Sequence, residues 1–467
     1  MPSDTKQKVT RLIILAVLLL SLPVALYLIP QATNFFNKAS GVNAALVIDA
    51  AVDFGEKPGV WKNLAQGGEE QGRSLAPVVA DIKPLAPRYI RIDHIYDFHN
   101  VVRSNGGQIT YDFSSLDQTV NDILSSGAKP FFSLSYMPSV LSKSNETDIP
   151  NNWGDWENLV QATIEHYSGR GGMNISNVYY EVWNEPDLFG GFKTYGGKNY
   201  LDLYYHSAIA AQRVRNANVF KFGGPATTSL YENWVTKLLE YVDQNNLRLD
   251  FYSWHRYTTD LDEIEKDVFK ARELIANSTN HANAELIITE IGHNSKNDKG
   301  YDTYFGAIHT LATSALLEDQ IGKAFNFEIK DGPGPEKLWG RWGILTHEKY
   351  GTPEKKPRYS AFAFLNRITG SGISTQGQGS WVKAFSKYDK KQNRIKTLVV
   401  NYDPKGSHSE ATPITYNNLP FSNFTFRRTD YSGKVTDRKA TATNGSFSSL
   451  ELMDPNTAAI FELIGLQ

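Results

Sequence analysis

The 467-residue chain balances 48 basic against 50 acidic residues and has no cysteine. The balance argues against a nucleic-acid protein, which needs a basic stripe, and the lack of cysteine excludes disulfides and thiolate metal sites. Aromatic residues make up 12%, more than a core ordinarily consumes, and the apolar C–H faces of sugar rings are a ligand class that stacks on them.

In chain order, Lys6, Lys8 and Arg11 precede an uncharged run of 18 residues, Leu12 to Ile29. Its length just spans a bilayer and exceeds a secretory signal core, and no small-x-small cleavage site follows it. The reading is an uncleaved transmembrane signal anchor over 12–29, with 1–11 a basic cytoplasmic tail and the rest extracytoplasmic, at a cell surface or in a periplasm. A cleaved signal is the alternative. Residues 30–43 form a polar tether, and 44–57 read as a strand, Ala44–Ala51, that joins a C-terminal sheet.

From 58 to 370 short apolar runs alternate with amphipathic stretches, the pattern of a (β/α)8 TIM barrel. The strands are Trp61–Gly67, Arg88–Asp93, Lys129–Ser135, Val178–Asp187, Val219–Gly224, Leu249–His255, Leu286–Glu290 and Ala324–Ile329. Pro186 is expected to stop the fourth and Pro225 to close the fifth. Helices are expected at Ala76–Ile82, from Asp112 to Gly127, and at Trp156–Tyr167, Tyr200–Val214, Leu261–Ala276, Tyr304–Leu317 and Tyr359–Ile368. After a Gly/Ser cluster at 370–379, period-2 segments at Trp381–Tyr388, Arg394–Tyr402, Phe424–Asp430 and Ala458–Ile464 read as a β-sandwich over 371–467. The fold class is therefore α/β, a barrel with a C-terminal β-sandwich that also takes the N-terminal strand.

Two strands end in glutamates, Trp183-Asn184-Glu185-Pro186 and Thr289-Glu290, 105 residues apart. Active sites of barrels of this kind sit at the C-terminal ends of the strands. A lone glutamate there is usually a turn residue or a cap. Two together suit glycoside cleavage, which needs an acid at the leaving oxygen and a carboxylate beneath the anomeric carbon. Asn184 is placed to bond a sugar hydroxyl. Tyr257 can donate to the nucleophile, and His255 can bond the sugar or orient a carboxylate; an aromatic rim is the plainer reading of both. Arg91, Asp93 and His94 end the second strand, as pocket lining or as a structural ion pair. After the last strand come Asp331, Trp339, Arg341 and Trp342, with Trp339 the expected sugar platform. The remaining histidines have no metal spacing, so neither a metal nor a cofactor is expected.

These residues resemble family 39 of the glycoside hydrolases, retaining (β/α)8 enzymes that include β-xylosidases and α-L-iduronidases. The landmarks are Val47-Ile-Asp-Ala with Pro58-Gly-Val-Trp61, Tyr111-Asp-Phe-Ser, Pro130 to Pro138, Trp183 to Asp187, Gly223-Gly-Pro225, Ser253 to Tyr257, and Thr289-Glu290. The resemblance implies Glu185 as acid/base, Glu290 as nucleophile and sugar contacts from Asn184, His255 and His94. Tyr257 follows the xylosidase pattern, while Arg341, Lys330 or Arg256 are the cations able to greet a uronic acid. Membrane-anchored members that cut exopolysaccharides internally are known in this family. A catalytically silent carbohydrate-binding barrel and a transglycosylase using the same glutamates are the alternatives. Carbohydrate and membrane are the expected partners.

Overall fold

A computed structural model describes residues 41–466. Among them no helix is long and apolar enough to cross a membrane; the run 12–29 lies outside the described residues.

The chain enters through β1 (Leu46–Gly55) and then builds a closed parallel barrel. Its strands are β2 (Asn63–Gln66), β3 (Tyr89–Ile92), β6 (Lys129–Ser133), β7 (Val178–Glu181), β8 (Phe220–Thr227), β9 (Phe251–Tyr257), β10 (Glu285–Gly292) and β11 (Lys323–Phe327). A hairpin of β4 (Val102–Asn105) and β5 (Gln108–Tyr111) follows β3. Each barrel strand leads into a helix, a right-handed repetition that returns the chain to the same edge each time. Inside the barrel, Ala65, Tyr89, Phe131, Tyr179, Phe251, Ile287, Phe325 and Phe327 pack as a core.

Several expectations shift. The first helical stretch splits into single turns around Val79–Ile82, because Pro77 and Pro84 interrupt it. A further helix, Glu232–Gln244, lies between β8 and β9. β8 does not close at Pro225 but runs on to Thr227, with a register shift against β9 between Pro225 and Thr227. β7 pairs only to Glu181, well short of Pro186.

The C-terminal strands are β12 (Ser371–Gln376), β13 (Val382–Asp389), β14 (Arg394–Asn401), β15 (Glu410–Asn417), β16 (Asn423–Asp430), β17 (Val435–Thr441), β18 (Phe447–Met453) and β19 (Thr457–Gly465). With β1 they form one continuous nine-stranded sheet rather than two separate sheets. Its two ends fold toward each other: Phe426 meets Phe447 with ring centroids 5.2 Å apart, and Arg438 reaches Glu451 at 3.2 Å. β1 pairs antiparallel with β12 and parallel with β15, so the N-terminal strand sits inside this sheet. The Tyr304–Leu317 helix, buried without a break from Gly306 to Leu317, lies between barrel and sheet. A helix buried on all sides needs cover on every face. A buried Lys387–Glu318 pair at 2.6 Å and the indole of Trp61, which donates to Asn366 Oδ1 at 2.8 Å, close the same interface.

Candidate active site

Beyond Glu181 the chain turns instead of extending. Trp183 and Glu185 hold φ of 73° and 47°, left-handed values that cost a non-glycine residue about 1–3 kcal/mol each. Neighbouring groups hold the turn: the Glu185 N–H donates to the Ala226 carbonyl at 3.0 Å, and the Trp183 indole donates to the Phe189 carbonyl at 3.0 Å. This turn, rather than Pro186, ends the strand. On β10 a register shift against β9 between Ile288 and Glu290 sets Glu290 beside His255, the re-aiming that a bulge provides.

An oxygen of Glu185, an oxygen of Glu290 and a ring nitrogen of His255 lie within 4.8 Å of one another. His255 Nδ1 is 2.9 Å from Glu185 Oε1 and 3.5 Å from Glu290 Oε2. Burial holds this histidine below its ordinary value, so the ring is neutral. Its Nε2 is buried without a partner, which favours the proton on Nδ1. Tyr257 OH donates to Glu290 Oε2 at 2.7 Å.

Arg91 ties the group together. Its guanidinium donates to Glu181 at 2.7 Å, to Glu290 Oε1 at 2.9 Å and to Asn184 Oδ1 at 2.8 Å. Burial pulls its value down; the Glu181 and Glu290 carboxylates more than offset this and raise it above the usual arginine value. Asn184 in turn donates to Tyr136 OH at 2.7 Å and Asp93 Oδ2 at 3.3 Å. The expected Arg91–Asp93 pair is therefore an Arg91–Glu181–Glu290 cluster, with Asp93 held by Asn184.

The two glutamates differ in environment. Burial, then the charge of Asp187, pushes Glu185 up to about 8, against the pull of Arg91. Glu290 is also raised by burial, while Arg91, which donates to its Oε1, favours its charged form. At neutral pH Glu185 is thus an acid with a proton to give. The charged form of Glu290 is the one that Arg91 and Tyr257 hydrogen-bond.

A cleft of about 760 Å³ opens over these groups. His94 lines it, its Nδ1 2.7 Å from Asp97 and its ring stacked on Phe98 at 4.0 Å. Trp342 also lines it, whereas Trp339, the expected platform, does not line the cleft and packs over Gly334. Two residues lie between them, enough to send the two side chains different ways in this irregular loop. Arg341 lines the cleft but pairs with Glu69 and sits 3.4 Å from the Trp342 ring centroid. Arg256 is held by both oxygens of Asp267. Lys330 is buried, 2.5 Å from Glu70 and 2.8 Å from Glu348. It supplies the positive charge among Glu70, His347 and Glu348, acids and imidazole that otherwise converge like metal ligands. All three cations offered for a uronic acid therefore already have carboxylate partners.

Two groups escaped the sequence reading. Tyr136, just past β6, lines the cleft against Asn184. Glu328, just past β11, is fully buried and raised well above its ordinary value by burial and by Glu69. It accepts from Gln66 Nε2 at 3.0 Å. An acid at a strand end is the same signal that marked Glu185 and Glu290.

Residues 78–292 match the family model described as Glycosyl hydrolases family 39. A β-xylosidase of Caldicellulosiruptor saccharolyticus is 28% identical over 301 residues, 59% of this chain and 60% of that protein. A β-xylosidase of Geobacillus stearothermophilus is 28% identical over 158 residues, 32% of this chain and 31% of that protein. The chain thus spans less than two thirds of either relative. Among solved structures, a monomeric β-xylosidase from Caulobacter crescentus CB15 superposes with a TM-score of 0.73 at 21% identity, covering 91% of this chain and 100% of that one. This likeness shows the shared fold.

Proposed function

We propose that this chain, whose residues 78–292 belong to glycosyl hydrolases family 39, is a retaining glycoside hydrolase acting by double displacement. Glu185 gives its proton to the leaving oxygen while Glu290 attacks the anomeric carbon; a water activated by Glu185 then releases the sugar and restores both groups. One observation carries the reading. Glu185 and Glu290 bring oxygens within 4.8 Å of each other in one cleft, which fits the roughly 5–5.5 Å carboxyl spacing of retaining enzymes and not the roughly 6.5–9.5 Å of inverting ones.

The electrostatics support the same division of labour. The high value of Glu185 suits a proton donor, and Arg91 and Tyr257 suit a charged Glu290. Asn184, fixed by Arg91 and Tyr136, is held to meet a hydroxyl of the sugar being cleaved, and His94 and Trp342 supply walls. A neutral glycone, β-xyloside in type, fits best, because Arg341, Arg256 and Lys330 already have carboxylate partners. The basic tail and apolar run at 12–29 support attachment to a membrane with the barrel outside.

The reading is tested by offering the purified protein aryl β-xylosides, aryl α-L-iduronides and neutral and acidic polysaccharides, with products sized by mass spectrometry. Release of xylose supports the proposal, and oligosaccharides would indicate internal cleavage. Binding without any product would replace the enzyme by a carbohydrate-binding barrel.

A further inference from the structure

The parallel strands that carry Glu185 and Glu290 to one end of the barrel gather their first residues at the other. Lys62 precedes β2, Arg88 precedes β3, Lys129 opens β6, Lys221 is second in β8 and Lys323 opens β11. With Lys83, on the turn before β3, these six cations line a cavity of about 710 Å³ to which no acidic residue contributes. The chain as a whole carries 50 acids to 48 bases, so the excess is local to this mouth.

Few of these charges are compensated. Lys323 is buried on the rings of Tyr179 and Tyr89, at 4.7 and 5.5 Å from their centroids. Among the described residues it alone of the six makes an ion pair, with Glu285, which also accepts from Tyr179 OH at 2.8 Å. Lys62 donates to the Leu85 carbonyl at 3.2 Å and Lys129 to the Ser176 carbonyl at 2.8 Å. Arg88 lies 5.8 Å from the Tyr89 ring centroid. Carbonyls and rings orient these groups without cancelling their charge. Lysines on a convex surface repel little because water separates them. In a concave site with low-dielectric walls their fields add and concentrate anions. Burial already holds Lys62 and Lys323 below the ordinary lysine value, a cost that a bound anion relieves.

We propose that the N-terminal mouth of the barrel binds a multiply charged oxyanion, a ligand bearing two or more phosphate or sulfate groups, either as a small molecule or on a saccharide. Arg88 offers a planar two-pronged donor and the lysines offer point charges. At about 30 Å³ for each displaced water, the cavity has room on the order of twenty waters, more than a single phosphate fills. Lys323 is already paired with Glu285, so the other five cations are the ones left for the ligand. The site lies at the far end of the barrel from Glu185 and Glu290, so it stands or falls independently of the hydrolase reading.

Calorimetric titration of the whole chain with inorganic pyrophosphate, and separately with a polysulfated disaccharide, tests this at constant ionic strength set by chloride. Saturable binding is expected in the native protein and in K266Q, a lysine on the outer face of the Leu261–Ala276 helix. Binding should weaken at least about tenfold in R88Q/K221Q, since two charge-assisted contacts are lost, while cleavage of a neutral aryl glycoside stays unchanged. Pyrophosphate binding alone assigns the small-molecule source, and disaccharide binding alone assigns the saccharide. K83Q, at an exposed position, keeps the test open if the double variant does not fold, and should weaken binding severalfold. Absence of saturable binding to either probe, or affinity in R88Q/K221Q and K83Q equal to that of native protein, overturns the proposal.

Discussion

Replacing Glu185 by glutamine should make the protein more stable while removing its acid. The native carboxyl titrates at about 8 instead of 4.5, because burial and then Asp187 oppose its charge. A raised carboxyl value means that folding stability is fully present below the unfolded value and is lost as pH rises toward the folded one. At pH 7 the unfolded chain holds this group ionised and the native protein holds it protonated. At about 1.4 kcal/mol per tenfold in the ionisation equilibrium, the difference is about 3 kcal/mol. Glutamine has the same shape, still accepts from His255 and never ionises. The expectation is that E185Q gains about 2–4 kcal/mol at pH 7 to 8, a gain that vanishes below pH 4.5, where both proteins are neutral at this position. Guanidinium unfolding of both proteins at acidic and neutral pH reads this directly. A variant no more stable than native at pH 8, or a gain that persists undiminished in acid, would refute the argument.

Four further outcomes follow from the same contacts. The pH profile of kcat/KM should be bell-shaped, falling above about 8 as Glu185 loses its proton and falling in acid as Glu290 gains one. Tyr257→Phe removes the 2.7 Å donor to Glu290; kcat should drop about 10- to 100-fold, as for loss of a hydrogen bond to a charged group, and the acid limb should move to higher pH. Arg91→Met leaves Glu181 and Glu290 without their shared cation and should cost about 3–5 kcal/mol in denaturant unfolding. Trp342→Ala, on the cleft wall, should raise KM with kcat little changed, while Trp339→Ala should leave both alone.

The barrel was legible because its buried strands are short apolar runs separated by amphipathic helices, and parallel pairing buries both faces. The glutamates were legible because each follows such a run at the end where loops converge. What escaped was the direction of side chains in irregular backbone. Nothing in the spacing of Trp339 and Trp342 tells which indole turns to the cleft, and nothing in that of Arg91 and Asp93 tells that both meet Asn184 while Arg91 goes on to Glu181 and Glu290. β12 hid in a Gly/Ser cluster, and β17 is exposed along most of its length, so neither has the alternation that marks a half-buried strand. The β4–β5 hairpin, with Gly106-Gly107 at its turn, carried a two-residue turn signal that its polar strands obscured.

Double displacement requires that Glu290 bond covalently to the sugar. A substrate with fluorine at C2 and a fluoride leaving group slows release of the intermediate more than its formation. Incubation followed by peptide mass spectrometry should find one glycosyl residue esterified to Glu290, and activity should fall in step with labelling. Turnover with no adduct, an adduct on another residue, or a first product of inverted anomeric configuration by NMR would rule out double displacement through Glu290.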